Sequence, residues 1–134
     1  MALDVGTQTI GIATTDELRL FTQPHSTLAR RGVAKDADAL QVLIDELAVA
    51  HLVVGLPLEL DGTEARSARL ARQIGEALRA RTDLPVTYID ERFTSAEAER
   101  MLIAQGVSRK RRKEVIDQAA AMLILQTFLD LQRE

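Results

Sequence analysis

The order of apolar segments along the chain constrains its fold more than any other feature. Residues 1–5, 9–15 and 18–22 are short and rich in apolar or β-branched residues, which predicts three strands, with Asp16 and Glu17 linking the second to the third. Strands joined by such short connections usually pair as antiparallel neighbours, so we expect a meander. A polar loop is predicted to follow over residues 24–32.

After this loop, helical and strand patterns alternate. Apolar residues recur at helical spacing within residues 35–49 and again from residue 68 to about residue 82, which predicts two amphipathic helices. Residues 52–57 and 86–89 are short apolar runs typical of buried strands, and the first of them leads into a loop that turns at Asp61. Helix–strand alternation of this kind implies parallel strands joined by right-handed crossovers.

The last third of the chain is predicted to be mostly helical. Residues 94–97 have the spacing of a capping box, so a helix should begin there and continue to about Gln105, with Gly106 capping its end. The basic residues that follow are predicted to form a loop. The final helix, over about residues 114–132, is apolar on every side between residues 119 and 125, which is typical of a helix buried against a sheet.

Composition narrows the class of protein. With 134 residues, 46% of them hydrophobic and 28% charged, the chain fits a single α/β domain over residues 1–134. It contains no cysteine, so any metal must be held by oxygen or imidazole ligands. No apolar run approaches the roughly 20 residues that a membrane span requires. We therefore expect a cytoplasmic protein with no membrane partner.

The charge of the chain is unevenly distributed. A net charge of −3 by itself argues against a polyanionic partner. However, five positive charges are concentrated in five consecutive residues, and the rest of the chain carries −8, so the local charge matters more than the total. This basic cluster is a candidate contact for nucleic-acid phosphates, although a solvated loop would also explain it. The basic cluster consists of Arg109, Lys110, Arg111, Arg112 and Lys113.

Three acidic residues stand where apolar segments should carry none. Burying a carboxylate without a partner costs several kcal/mol, so acids at the edge of a core usually pair with cations or hold metal. Asp4 comes at the end of the first strand and Glu91 just after the last one, where the active sites of α/β sheets form. Asp117 precedes Ala121 and Ile124 by four and seven residues, which places it on the apolar face of the final helix. Together, the three acids predict a metal site.

Each acid also has a purely structural explanation. Asp4 could accept hydrogen bonds from the turn that follows it, and Glu91 could pair with Arg92 or begin a helix. Asp117, in the first turn of its predicted helix, would offset the helix dipole. Asp90 competes with its neighbour Glu91 for the same role. The expected convergence of all three acids favours the metal site over these separate explanations.

Four motifs give the chain a resemblance to a known family. They begin at Asp4 (Asp-Val-Gly-Thr-Gln-Thr-Ile-Gly), Val53 (Val-Val-Gly-Leu-Pro-Leu, with Asp-Gly-Thr from residue 61), Asp90 (Asp-Glu-Arg-Phe-Thr-Ser) and Asp117 (Asp-Gln-Ala-Ala-Ala-Met-Leu). In order and spacing they resemble the YqgF/RuvX family of ribonuclease-H-like nucleases over nearly the whole chain. The resemblance implies a five-stranded mixed sheet flanked by helices, with three antiparallel strands followed by two that are parallel to the first.

The resemblance also implies a function. Asp4, Glu91 and Asp117 would be the catalytic and metal-binding residues of a metal-dependent nuclease, and their hard oxygen ligands favour Mg²⁺ or Mn²⁺ as the cofactor. The family is associated with maturing the 5′ end of precursor 16S rRNA and was earlier described as a family of Holliday junction resolvases. Structured RNA is therefore the expected substrate and branched DNA the alternative. We expect a monomer or a weak homodimer.

Further residues are candidates for contacting nucleic acid. Thr7 and Gln8, in the turn after Asp4, could position a phosphate, and Arg92 and the basic cluster could contact flanking ones. Only 3% of residues are aromatic, which disfavours a platform that stacks on bases.

Two other functions would each explain part of the sequence. The turn after Asp4 also resembles the first phosphate motif of actin-like and sugar-kinase ATPases, but those enzymes need a second domain that 134 residues do not provide. A nucleic-acid-binding module without catalysis would not need all three acids.

Overall fold

The computed structural model describes residues 1–59, 61, 62, 64–91 and 109–132, and for residues 109–117 it describes the backbone alone. This part of the chain forms five strands and three helices. In chain order they are β1 (Ala2–Val5), β2 (Thr9–Thr15), β3 (Thr22–Ala29), α1 (Val33–Glu46), β4 (Leu52–Leu56), α2 (Arg66–Thr82), β5 (Val86–Asp90) and α3 (Arg109–Gln132).

The five strands form one mixed sheet in the order β3-β2-β1-β4-β5. β1 pairs antiparallel with β2, and β2 pairs antiparallel with β3. β4 is parallel to β1, and β5 is parallel to β4, because α1 and α2 carry the chain back to the starting edge of the sheet. The expected mixed sheet, with three antiparallel strands and then two parallel to the first, is confirmed.

Helices cover both faces of this sheet. Side chains alternate along a strand, so Leu3 and Val5 of β1 point to one face, where they belong to the core that includes residues of α1 and α2. Ala2 points to the other face, where it belongs to a second core with residues of α3. By the same alternation, Asp4 faces α3.

The buried position predicted for the last helix is confirmed. Ala121, Ile124 and Leu125 of α3 are at most 2% exposed and belong to the same core as Val53 of β4. Complete burial of an Ile or Leu side chain stabilises a fold by about 1.5–3 kcal/mol, so α3 is needed to close this side of the molecule. Within the described residues, neither α3 nor any other helix combines the length and apolarity needed to span a membrane.

The third strand lies further along the chain than predicted. β3 spans Thr22–Ala29, so the strand predicted over residues 18–22 is wrong, and of the loop predicted over residues 24–32 only residues 30–32 are a loop. Asp16 Oδ1 accepts hydrogen bonds from two amides of the β2–β3 turn, at 2.7 and 3.1 Å, which holds this segment as a turn. β3 is a polar edge strand that tolerates Pro24 beside an irregularity in its register, so the usual apolar alternation is missing from its sequence.

The last helix begins earlier than predicted. α3 starts at Arg109, so the prediction of a loop for the basic cluster is wrong. Arg and Lys are good helix formers, and no Gly or Pro separates them from the apolar part of the helix. Asp117 is therefore the ninth residue of α3, and its explanation by the helix dipole is also wrong. The helix predicted to begin at residue 94 lies outside the described residues.

Candidate functional site

Asp4 lies at the carboxyl edge of the central strand of the sheet. It is the penultimate residue of β1 and is only 9% exposed. On one side its partner is Gly11 of β2. On the other side Leu3 pairs with Val54, so the next step along the two strands brings Asp4 beside Gly55 of β4. Neither neighbour of Asp4 in the sheet brings a side chain to the face that α3 covers.

Glu91 reaches the same edge from the end of β5, which is separated from β1 by β4. Its amide donates a hydrogen bond to the carbonyl oxygen of Leu56 at 3.2 Å, which extends the parallel pairing one residue beyond β5. Its side chain is buried over Gly55, and Glu91 Cδ lies 2.9 Å from the position that a Cβ on Gly55 would occupy. Gly55 is the β4 neighbour of Asp4. Because Gly55 has no side chain, the Glu91 carboxylate can occupy the space above it.

Strand alternation separates Glu91 from its rival Asp90. Ile89 is buried in the core that faces α3, so Glu91, two residues later, faces α3 as well. Asp90 points to the opposite face and is exposed. The geometry therefore favours Glu91 over Asp90 as the partner of Asp4.

The two buried carboxylates are a suitable donor set for hard divalent cations. β1 and β5 are two strand spacings apart, or about 10 Å between backbones, and the longer Glu91 side chain covers part of this separation from Asp4. Within the described residues, no group of three His, Cys, Asp or Glu side chains is close enough to hold a metal ion. The third predicted ligand, Asp117, has its backbone in α3, and its side chain lies outside the described part of the chain.

The turn between β1 and β2 presents the predicted phosphate contacts at this same edge. The Gly6 amide donates to the carbonyl oxygen of Thr9 at 2.8 Å and closes the turn. Thr7 and Gln8, between them, are exposed. Arg92 and the side chains of the basic cluster lie outside the described residues, but the backbone of the cluster begins α3, the helix that covers the Asp4 face.

Two features of the site were missed by the sequence analysis. The first is the role of Gly55, whose only sequence signal is a glycine inside an apolar strand. The second is a buried ion pair between Arg30 and Asp36, which contacts the β1–β2 turn through the carbonyl oxygen of Gly6. An acid in the first turn of α1 was the available signal for this pair.

His51 lies away from the acids, just before β4 begins. Its Nε2 is 2.8 Å from Thr87 Oγ1, and its ring packs against Phe128 with the centroids 4.7 Å apart. Burial lowers the pKa of His51, and the positive charges of the amino terminus and Arg19 lower it further. A neutral ring in these contacts has a packing role.

A mixed five-stranded sheet with buried acids at the carboxyl ends of β1 and β5, on the face that α3 covers, is typical of the ribonuclease-H-like class of nucleases. The model of the RuvX family, described as Holliday junction resolvase, matches residues 1–131. The chain belongs to this family, as its four sequence motifs indicated.

Relatives and solved structures agree with this membership. A protein of Syntrophomonas wolfei with the provisional name pre-16S rRNA nuclease is 45% identical over 130 residues, which cover 97% of this chain and 92% of the relative. A protein of Synechococcus elongatus with the same name is 43% identical over 134 residues, which cover 100% of this chain and 90% of the relative.

Among solved structures, RuvC of Thermus thermophilus gives a TM-score of 0.61 at 11% identity and covers 98% of this chain and 93% of its own. RuvC of the same organism in complex with a Holliday junction substrate gives 0.58 at 12% identity, with 98% and 92% covered. At such low identity, these two structures show the common fold alone, and the expected ribonuclease-H-like fold is confirmed.

Proposed function

We propose that this chain is a divalent-metal-dependent nuclease that hydrolyses phosphodiester bonds at the 5′ end of precursor 16S rRNA. The observation that carries the proposal is the burial of Asp4 and Glu91 on one face of the sheet, with the Glu91 carboxylate over Gly55 beside Asp4. Buried carboxylates need cations, and carboxylate oxygens are the ligands that Mg²⁺ and Mn²⁺ favour. The names of the relatives support precursor 16S rRNA as the substrate.

Each acid has a distinct place in this proposal. Asp4, on the central strand, would contribute to both parts of the metal site. Glu91 and Asp117 would each supply a ligand to one part. When bound, the metal ions would activate a water molecule and stabilise the charge on the leaving oxygen. Gly55 leaves room for the Glu91 carboxylate beside Asp4, and the packing of α3 against this face limits the access of bulk water.

Recognition of the substrate would depend on its phosphate backbone and shape. Thr7 and Gln8 are exposed beside Asp4 and would contact the phosphate at the cut. Arg92 and the basic cluster would contact flanking phosphates, which makes affinity sensitive to salt. We propose that the protein works in the cytoplasm on structured RNA, as a monomer or a weak homodimer.

The test compares wild type with Asp4→Asn in Mn²⁺, on precursor 16S rRNA and on a four-way DNA junction. Asn has nearly the same volume as Asp but removes the charge, so we expect cleavage of the RNA to fall more than about 100-fold. The control is Asp90→Asn, which removes a carboxylate of the opposite face and should leave the rate within about two-fold of wild type.

Two outcomes would change the proposal. Equal rates for wild type and Asp4→Asn on every substrate would refute the assignment of the site. Cleavage of the junction and not of the RNA would instead support junction resolution, the activity that the description of the family names.

A further inference from the structure

Arg30, between β3 and α1, makes three hydrogen bonds that connect it to the β1–β2 turn and to α1. Its Nη1 donates a hydrogen bond to the carbonyl oxygen of Gly6 at 2.9 Å, and its backbone amide donates to the carbonyl oxygen of Gln8 at 2.9 Å. Its Nε donates to Asp36 Oδ2 at 2.7 Å. The Arg30 side chain is only 10% exposed, so these contacts are shielded from solvent.

Asp36 fixes the other end of this arrangement. It lies in the first turn of α1, where the helix dipole favours an acid, and its side chain is 1% exposed. Its second oxygen, Oδ1, accepts a hydrogen bond from the Arg31 amide at 2.8 Å. Both carboxylate oxygens of Asp36 are thus engaged, and neither Asp36 nor Arg30 can move without leaving a buried charge uncompensated.

Stability alone is a weak reason for such a pair. Well-packed apolar residues of similar volume often replace a buried ion pair with no loss of stability, or with a gain. What apolar residues cannot supply is the guanidinium, which joins Asp36 to the carbonyl oxygen of Gly6 in a fixed planar geometry. Gly6 follows Asp4 by two residues and begins the turn that presents Thr7 and Gln8.

We propose that Arg30 and Asp36 are positioning residues of the nuclease site. They hold the β1–β2 turn against α1, and thereby fix the Asp4 carboxylate relative to the exposed phosphate contacts Thr7 and Gln8. This role rests on the proposed nuclease function. It predicts that loss of the pair lowers the rate of the chemical step more than it lowers the affinity for RNA.

The main variant replaces both members of the pair, Arg30→Met with Asp36→Leu, so that no buried charge is left alone. We expect a folded protein whose kcat on precursor 16S rRNA falls about 100-fold, as a misplacement near 1 Å does, while KM stays within about three-fold. The matched control is Arg81→Gln with Asp38→Asn, because this second pair also involves α1 but is more exposed and does not contact the turn. The control should keep the wild-type kcat.

Amide hydrogen exchange gives a readout that does not depend on activity. The amides of Gly6 and residue 30 donate to the carbonyl oxygens of Thr9 and Gln8, and in the double variant we expect both amides to exchange at least about ten-fold faster than in wild type. The Leu52 amide, which donates to the carbonyl oxygen of Pro85 elsewhere in the fold, should be unchanged. If the amides of Gly6 and residue 30 exchange in the double variant at the wild-type rate, the positioning role is overturned, whether or not the protein proves to be a nuclease.

Arg30→Lys keeps the charge beside Asp36 but cannot contact Asp36 and Gly6 with one planar group. We expect a folded protein with kcat about ten-fold below wild type. If the double variant does not fold, the kcat of Arg30→Lys tests the positioning role in its place. An active wild type together with wild-type kcat in the folded variants would refute the positioning role alone. A wild type that cleaves no more than Asp4→Asn would refute the proposed nuclease site instead.

Discussion

Gly55→Ala should damage the site through a single methyl group. A Cβ at residue 55 would lie 2.9 Å from Glu91 Cδ, and Glu91 Oε2 and Ile124 Cδ1 would be closer still. Ordinary van der Waals contact begins at 3.4 Å, so Glu91 Cδ must retreat by about 0.5 Å and its carboxylate oxygen by more. The substitution therefore pushes the Glu91 carboxylate out of the space beside Asp4.

The expected effects follow from this displacement. Overpacking a core costs about 1–3 kcal/mol of unfolding free energy, and part of the strain here falls on Ile124. A misplacement approaching 1 Å at a reacting centre lowers the rate by up to about 100-fold, so we expect kcat to fall between about 10-fold and 100-fold. Urea unfolding followed by circular dichroism measures the first effect, and Mn²⁺-dependent cleavage of precursor 16S rRNA measures the second.

Gly75→Ala is a matched control on the opposite face of the sheet. A Cβ at residue 75 would lie 2.9 Å from Tyr88 Cζ and 3.0 Å from Tyr88 Cε1, so it creates similar crowding in the core formed with α1 and α2. Ala also favours the helix by about 1 kcal/mol, which offsets part of the strain. We expect a similar or smaller loss of stability with unchanged kcat. Wild-type kcat in Gly55→Ala, or an equal loss of kcat in both variants, would refute the reasoning.

Two further predictions concern charge. Five glutamines in place of residues 109–113 should preserve α3, since Gln is a good helix former. The slope of log affinity against log salt should fall by up to about 3.5–4.5, or about 0.7–0.9 for each phosphate that the cluster would neutralise. An unchanged slope would exclude the basic cluster from the interface. Because burial lowers the pKa of His51, the folded state binds fewer protons than the unfolded state, and stability falls as the pH drops through the ordinary value near 6.5. As the pH is lowered from about 7.5 to about 5.5, the unfolding free energy of wild type should therefore fall relative to that of His51→Gln. A difference in unfolding free energy between the two proteins that does not change with pH would contradict this.

Most of the fold could be predicted from local patterns. β1, β2, β4 and β5 are apolar or β-branched runs bounded by turn residues, and α1 and α2 repeat their apolar residues at helical spacing. β3 could not be predicted in this way because it is an edge strand whose half-exposed surface does not require apolar alternation. The start of α3 was missed because a run of like charges resembles a loop, although its residues are good helix formers.

Part of the candidate site was also available from the sequence. Asp4 and Glu91 stand out because carboxylates are rare in buried segments, and the order of strands and helices predicted that the two would meet at one edge. The sequence left Asp90 and Glu91 as alternatives, since two adjacent acids are equivalent until the face of the strand is known.

By itself, the sequence determined the order of the described elements, the class of sheet, the family and a set of candidate acids in which Asp90 and Glu91 were still alternatives, because these follow from periodicity and motifs within short segments. Only the tertiary structure decided that Glu91 rather than Asp90 faces α3, that Gly55 provides its space, and that Arg30 joins Asp36 to the β1–β2 turn. The physical reason is that these contacts depend on the register between strands and on packing between elements distant along the chain. Neither register nor packing is recorded in the local pattern of residues.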